Sequence, residues 1–463
     1  MTRFSFLFLF LLACSIGAKA QQGEKYLEEP LPQGWNDGEF FDQTLPHDDT
    51  WWLNFEDPLL DSLIVVACKN NFTALGAMEN IRKAHAAWRK AQSGLMPSLD
   101  LNLGWQRDKT SGNSPQTLYR ESWEGLYSAA VSMKWQADVF GSVYMRSRAQ
   151  KKLFMATEEE YNAVMVSLVA NVAITYFSLR QSLAEMQVIR WNVESQREIM
   201  DIVLSRYNSG LASKLDVSQS LSVYYNTKAQ IPAMQATIDG YRNAMAVLLG
   251  MYPQELEGWL EEGYALPEYM APIEVGVPAL LLLRRPDIRA AEKQVEANAA
   301  LLGATRRDWF PSLLFTGTLG FTSDKLKYLP RSKSLTWEIA PAIQWGIFSG
   351  MERVNATREA QAELDYSIAS FNSTMLNAMQ EVENAMSQYR SSVAQIVTLR
   401  EALNQNKETL TLSLELYKQG LTEYQNVLDA QRTLFTSQDY LVQARGASLI
   451  YLVKLYEALG GGW

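Results

Sequence analysis

From Leu99 the chain alternates. Leu99, Leu101, Leu103 and Trp105 fall on one side, and Asp100, Asn102, Gly104 and Gln106 on the other. After a polar loop of about residues 107–126 the alternation returns, with Ala129, Val131, Met133 and Trp135 set against Ser132, Lys134 and Gln136. A period of two marks a strand with two different faces, so the pattern predicts a hairpin over 98–138. A second hairpin is predicted over 312–346. There Leu313, Phe315, Leu319 and Phe321 oppose Thr316, Thr318 and Thr322, and Leu335, Trp337, Ile339, Ile343 and Trp345 oppose Thr336, Glu338 and Gln344. One apolar face, one polar face and tryptophan near a strand end are what a lipid-facing, water-filled barrel requires.

Elsewhere the period is helical. Asp57-Pro58 opens a helix that runs to about Gly94, and Pro97 ends it. From Gly141 to Tyr207 the pattern contains no proline and no internal glycine, which predicts a helix about 100 Å long. Gly210 interrupts it, a second helix runs from about Leu215 to Leu249, and Pro253 closes that half. Helices are then expected over about Pro278 to Arg307 and Glu352 to Tyr417, with a break at Gly420 and a last helix ending at Leu459. The most apolar stretch beyond the N-terminal leader, Ala163 to Leu179, carries Ser167, Asn171, Thr175 and Ser178 as one polar stripe. That suits a helix packed among helices rather than one in lipid.

The two halves repeat each other at an offset of 210 residues. Tyr207-Asn208-Ser209-Gly210-Leu211 matches Tyr417-Lys418-Gln419-Gly420-Leu421, and Leu249-Gly250 matches Leu459-Gly460. A fixed offset signals duplicated structure. The first repeat spans 51–252 and the second 278–463, joined by a Pro-, Gly- and Glu-rich linker over 253–277. Each reads helix, hairpin, long helix, glycine turn, long helix. Equal helix lengths predict that the two glycine turns sit together at one end, on the far side from the hairpins. One chain then offers four membrane strands, whereas bacterial barrels need at least eight. Several chains must share a barrel in closed symmetry, and strand number alone allows a dimer, trimer or tetramer.

The N-terminus reads as a secretory leader. Arg3 precedes the short apolar run Phe4 to Ala13, and Ala18-Lys19-Ala20 fits a cleavage site that makes 1–20 the signal peptide. Leu11-Leu12-Ala13-Cys14 is a rival, lipobox-like cut, which would leave 1–13 as leader and Cys14 as a lipidated first residue. Residues 21–50 read as an extended segment. Cys68, on an apolar helical stretch, reads as a buried small hydrophobe.

Composition narrows the chemistry. The net charge is −9, from 42 basic and 51 acidic residues, so nothing favours nucleic acid. His47 and His85 are the only histidines among 463 residues, and neither sits where acid–base or metal work is expected. The carboxylate pairs Asp57/Asp61 and Glu381/Glu383 lie on helices without a partner base, and read as solvated or inter-helix contacts. Arg284-Arg285-Pro286-Asp287 could hold an anion, but proline suits the first turn of a helix and favours a structural entry. No catalytic, cofactor or metal site is expected.

Several motifs together carry a resemblance. They are Trp51-Trp52 with Phe55-x-Asp57-Pro58; Trp135 with Asp138-x-Phe140-Gly141; the run from Leu282 to Glu292 around Arg284-Arg285-Pro286-Asp287; Phe310-Pro311-Ser312; Val427 to Phe435; and Leu455-Tyr456-x-Ala458-Leu459-Gly460-Gly461-Gly462-Trp463. In this order, over nearly the whole mature chain, they resemble the TolC-type outer membrane factors, in the NodT-like branch that serves multidrug efflux pumps.

The resemblance implies a mainly α protein with a membrane β-barrel. Three chains would form a homotrimer with a shared 12-stranded barrel in the outer membrane lipid and a long α-helical barrel in the periplasm of a Gram-negative cell. It implies a periplasmic adaptor (membrane fusion protein) and an inner-membrane RND-type pump as partners. The glycine turns would form the periplasmic tip, with Tyr207, Gly210, Leu211, Tyr417, Gly420 and Leu421 as adaptor contacts. Asp429 and Gln425, one helical turn apart, would face the pore at its narrowest point. Many members are lipoproteins, but here Tyr26-Leu27-Glu28-Glu29-Pro30 lies further from Cys14 than that pattern has it. The function implied is a passive exit duct for small molecules, with a type I protein secretion duct as the alternative.

Overall fold

The computed structural model describes residues 50–109, 123–256 and 284–461, with single residues at 34, 35, 41, 266, 267, 269, 273, 275, 276 and 278. The signal segment with Cys14, most of the 21–50 segment, His47, and most of the 253–277 linker lie outside the described residues.

After a 3-10 turn at Trp51–Phe55 come α1 (Pro58–Asn70), α2 (Phe72–Ser93), β1 (Ser98–Lys109), β2 (Trp123–Ala137), α3 (Ser142–Asn208), α4 (Lys214–Lys228) and α5 (Gln230–Leu248). The second half carries α6 (Pro286–Arg307), β3 (Ser312–Ser323), β4 (Leu335–Gln344), α7 (Glu352–Gln419) and α8 (Tyr424–Ala458). The long helices of the two repeats have 67 and 68 residues. The described chain falls into two compact units. One holds Arg82–Ala156 and Ala291–Asn372, and the other Leu31–Ile81, Thr157–Ala290 and Ser373–Trp463.

The first unit contains the sheet, antiparallel throughout, in the order β1-β2-β3-β4. Its register sorts residues by chemistry. Leu101, Val131, Leu319 and Trp337 form one cross-strand row, and Asp100, Ser132, Thr318 and Glu338 form the next. Leu101 is 68% and Trp337 69% exposed, so the apolar face has no cover among the described residues. Gly320 is a packing requirement of this register, since a Cβ there would stand 2.4 Å from Ala130 Cβ. Both hairpins are anchored alike at their base. The Trp135 indole donates to the Leu95 carbonyl at 3.0 Å, and the Trp345 indole to the Trp309 carbonyl at 3.0 Å. The strands reach Lys109 and Trp123, further into the polar stretch of 107–126 than its composition suggested; residues 110–122 lie outside the described residues.

The second unit is built on a helical core. Trp51, Leu60, Leu63, Ile64, Val172, Ala173, Tyr176, Phe177, Met245, Leu249 and Leu452 are buried together. Trp51 stacks on Tyr456 with centroids 5.1 Å apart and planes at 6°. The Asp57 carboxylate caps α1, accepting from the Leu59 and Leu60 amides at 3.1 and 3.4 Å, and also accepts from the Tyr176 hydroxyl at 2.5 Å. Burial and this bond push the Tyr176 phenol well up. By length and composition α3 is apolar enough to cross a membrane. Its apolar residues instead fill the core, while Ser167 and Asn171 of its polar stripe stay exposed.

Three helix boundaries differ from the sequence expectation. The helix expected over 58–94 breaks at Asn71, whose side chain caps the amides of Thr73 and Ala74 at 2.8 and 3.1 Å. The helix expected over 215–249 breaks at Ala229, because Pro232 has no N–H for the Lys228 carbonyl and is compatible only with a helix's first turn. The helix expected over 278–307 is interrupted at Arg285, and α6 begins at Pro286 with proline at the first helical position; residues 279–283 lie outside the described residues.

Candidate functional site

The two glycine turns are built identically. Gly210 has φ +73° and Gly420 φ +77°, backbone that favours glycine. In the first turn the Leu211 amide donates to the Arg206 carbonyl at 2.7 Å and the Gly210 amide to Tyr207 at 2.9 Å. In the second, Leu421 donates to Leu416 and Gly420 to Tyr417, both at 2.9 Å. Each long helix thus ends in a Schellman motif with glycine in the left-handed position. The next helix restarts at once, α4 through a reciprocal capping box of Ser213 and Asp216.

As expected, the turns sit together. The Arg206 guanidinium donates to the Lys418 carbonyl at 2.7 Å and to Leu211 at 3.4 Å, and stacks 4.7 Å from the Tyr417 ring centre. A small core lies beside them, of Ile199, Val203, Val217, Tyr417, Tyr424, Val427 and Leu428. Burial, with Tyr417 and Asp216 nearby, pushes the Tyr424 phenol up to about 12. Burial also raises Tyr417, next to Asp216. A cavity of about 730 Å³ opens here, lined by Arg206, Leu215, Asp216, Tyr417 and Glu423 among others. Leu211 is 67% and Leu421 70% exposed. The paired turns therefore present two exposed apolar side chains, Leu211 and Leu421, beside the Arg206 contacts that join them.

Asp429 and Gln425 share the exposed face of α8, while Val427, Leu428, Ala430 and Gln431 are buried. Both Asp429 carboxylate oxygens accept from the Gln425 amide nitrogen, at 3.1 and 3.2 Å. The polar face continues at helical spacing through Thr433 and Thr436.

Arg285, His85 and Cys68 are placed as follows. Arg285 donates to Asp287 at 3.0 and 2.7 Å and to the Ala458 carbonyl at 2.8 Å, and its guanidinium meets Glu381 at 2.8 Å. Its donors are spent on holding the entry of α6, so it has no fork left for an anion. His85 touches the rings of Trp88 and Phe154. Cys68 is half-buried against the helical core, and burial raises its thiol. Among the described residues no cluster could hold a metal ion. Sequence reasoning passed over Arg206, which joins the two turns. Ser213-x-x-Asp216 was a readable capping signal, whereas the reach of Arg206 to the other repeat has no local signature.

Comparison with known proteins agrees with this geometry. The family model described as outer membrane efflux protein matches residues 63–251 and 277–461, one segment in each repeat. The chain is 30% identical over 465 residues to the solvent efflux pump outer membrane protein SrpC of Pseudomonas putida, covering 99% of this chain and 97% of that one. It is 29% identical over 414 residues to the cation efflux system protein CusC of Escherichia coli, covering 89% and 88%. Among solved structures it is similar to the outer-membrane channel OprN, with a TM-score of 0.89, 27% identity, and 95% and 99% of the two chains covered. With both repeats matched and the paired glycine turns in place, the chain belongs to the outer membrane efflux protein family.

Proposed function

We propose that three copies of this chain close one 12-stranded barrel and form a passive exit duct. In it the paired turns are the tip that meets a periplasmic adaptor on an inner-membrane RND-type pump. The carrying observation is the four-stranded sheet: among the described residues β1 and β4 each have an unpaired edge, and the apolar face is uncovered. In lipid every backbone polar group needs a partner, which an open sheet cannot give and a closed barrel can. Three is the number of chains that the family resemblance implies. Membership also places the protein in the outer membrane of a Gram-negative cell, extending into the periplasm. Solvents and cations are the cargo in the names of the relatives, which favours small molecules over secreted protein. The duct does no chemistry of its own, and the pump supplies the energy. Chemical cross-linking of the detergent-solubilised protein is expected to give a trimer band. Monomers alone at every cross-linker concentration would sink the shared barrel.

A further inference from the structure

The β3–β4 hairpin closes through two 3-10 turns, Leu326–Tyr328 and Ser332–Ser334, at the sheet end away from its junctions with α6 and α7. The helices of this family lie in the periplasm, so this end is the extracellular one. Between Ser323 and Leu335 the chain carries Lys325, Lys327, Arg331 and Lys333 against a single carboxylate, Asp324. All four cations are exposed. Three of them converge on one ring. The Lys325 and Lys327 ammonium groups lie 5.9 and 4.9 Å from the centre of Tyr328, and the Arg331 guanidinium 4.3 Å. The loop is held in this shape. The Arg331 amide donates to the Tyr328 carbonyl at 3.1 Å, and the Ser334 hydroxyl donates to the same carbonyl at 2.7 Å. Among the described residues no carboxylate forms an ion pair with any of the four cations.

Like charges gathered this closely repel one another; the Tyr328 ring offsets part of that repulsion, and no described carboxylate pairs with them. Their position supplies the partner. Immediately below the loop, on the apolar face, Phe321 pairs with Leu335, and Leu319 with the exposed Trp337. Aromatic side chains at the end of an apolar band mark the level of lipid headgroups. A basic cluster just beyond that level suits anionic headgroups. An arginine fork beside flexible ammonium groups matches the oxygens of a phosphate monoester.

We propose that the β3–β4 hairpin end binds the phosphate groups of the phosphorylated glycolipid in the outer leaflet, with Lys325, Lys327, Arg331 and Lys333 as the ligating side chains. The site goes beyond the duct reading and needs only that the hairpin end faces the outer leaflet. It would fix the depth of the barrel in the bilayer.

Native mass spectrometry of the full-length protein in detergent tests it, with bisphosphorylated lipid A, its dephosphorylated form, phosphatidylcholine and inorganic phosphate as probes. Retention of bisphosphorylated lipid A is expected to exceed that of the dephosphorylated lipid and of phosphatidylcholine by about tenfold. The quadruple variant K325Q/K327Q/R331Q/K333Q is expected to lose that preference. Equal retention of phosphorylated and dephosphorylated lipid, or an undiminished preference in the variant, overturns the proposal. Inorganic phosphate binding as tightly as the lipid would make this a free-anion site and overturn the lipid assignment. The mass of each protein assembly in the same spectra reports the number of chains, so failure of the shared barrel is seen separately. The single variant Lys333→Gln, outside the ring contacts of Tyr328, guards against a quadruple variant that does not fold, and is expected to show a smaller loss in the same direction.

Discussion

Single residues in this chain mostly hold helices together, and their charges reveal where. Glu185 is buried on α3, where the Gln181 amide donates to it at 2.9 Å. Burial raises its carboxyl, the Gln181 bond pulls it partly back, and the nearby Asp439, itself raised by burial, adds to the rise. A carboxyl raised in the folded state binds its proton more tightly there than in the unfolded chain. Charging it therefore costs stability as pH rises through the folded value. Glu185→Gln avoids that cost and is expected to stabilise the protein at neutral pH by on the order of 1 kcal/mol, the scale of a buried polar mismatch. The advantage should shrink as pH falls into the carboxylate range. Thermal melts of the two proteins across pH check both parts, and a variant less stable at neutral pH would contradict them. The sequence gives no hint of this pairing, since Glu185 and Asp439 sit on different repeats and meet only through packing. Arg285 was legible as structural because Pro286 marks a helix entry, yet its partners Glu381 and Ala458 were not.

At the scale of elements, periodicity found nearly everything and missed the breaks. Alternation gave both hairpins, and the long helices ended where glycine allowed a reversed backbone. The missed breaks have local causes that a period of 3.6 does not register. Pro232 was visible in the sequence, and its lost amide is enough to divide α4 from α5. Asn71 was harder to read, because an asparagine within a helical pattern counts as a cap only when its side chain turns back. Here it also reaches outward, donating to the Leu248 carbonyl at 2.9 Å. Asn71→Ala should thus lose a cap worth about 1 kcal/mol and strand a carbonyl at a cost of about 1–3 kcal/mol. Asn71→Asp keeps the cap without the donor and should fall between the two. Thermal melts that rank the aspartate variant no better than alanine would show that the cap contributes little.

At the scale of the whole molecule the repeat was the most legible feature, while closure was the least. Four strands per chain follow from alternation, but the count of chains depends on a neighbour that no single sequence contains. The same holds for Asp429. Its exposed place beside Gln425 could be read from helical spacing, whereas its proposed place at a constriction depends on three copies around one axis. In the proposed duct three Asp429 carboxylates form a negative ring, each held by its own Gln425, and such rings bind and filter cations. Asp429→Ala removes the ring and leaves the fold nearly untouched. The side chain faces away from the buried row of α8, and changes of that kind usually stay within about 0.5 kcal/mol. The closed duct is expected to become leakier to cations and to lose its block by divalent ions. Single-channel conductance in planar bilayers, with and without divalent cations, separates the outcomes. An unchanged conductance with an unchanged block would mean that Asp429 lies away from the narrowest point, because a ring of three charges cannot be removed from a constriction without altering what passes through it.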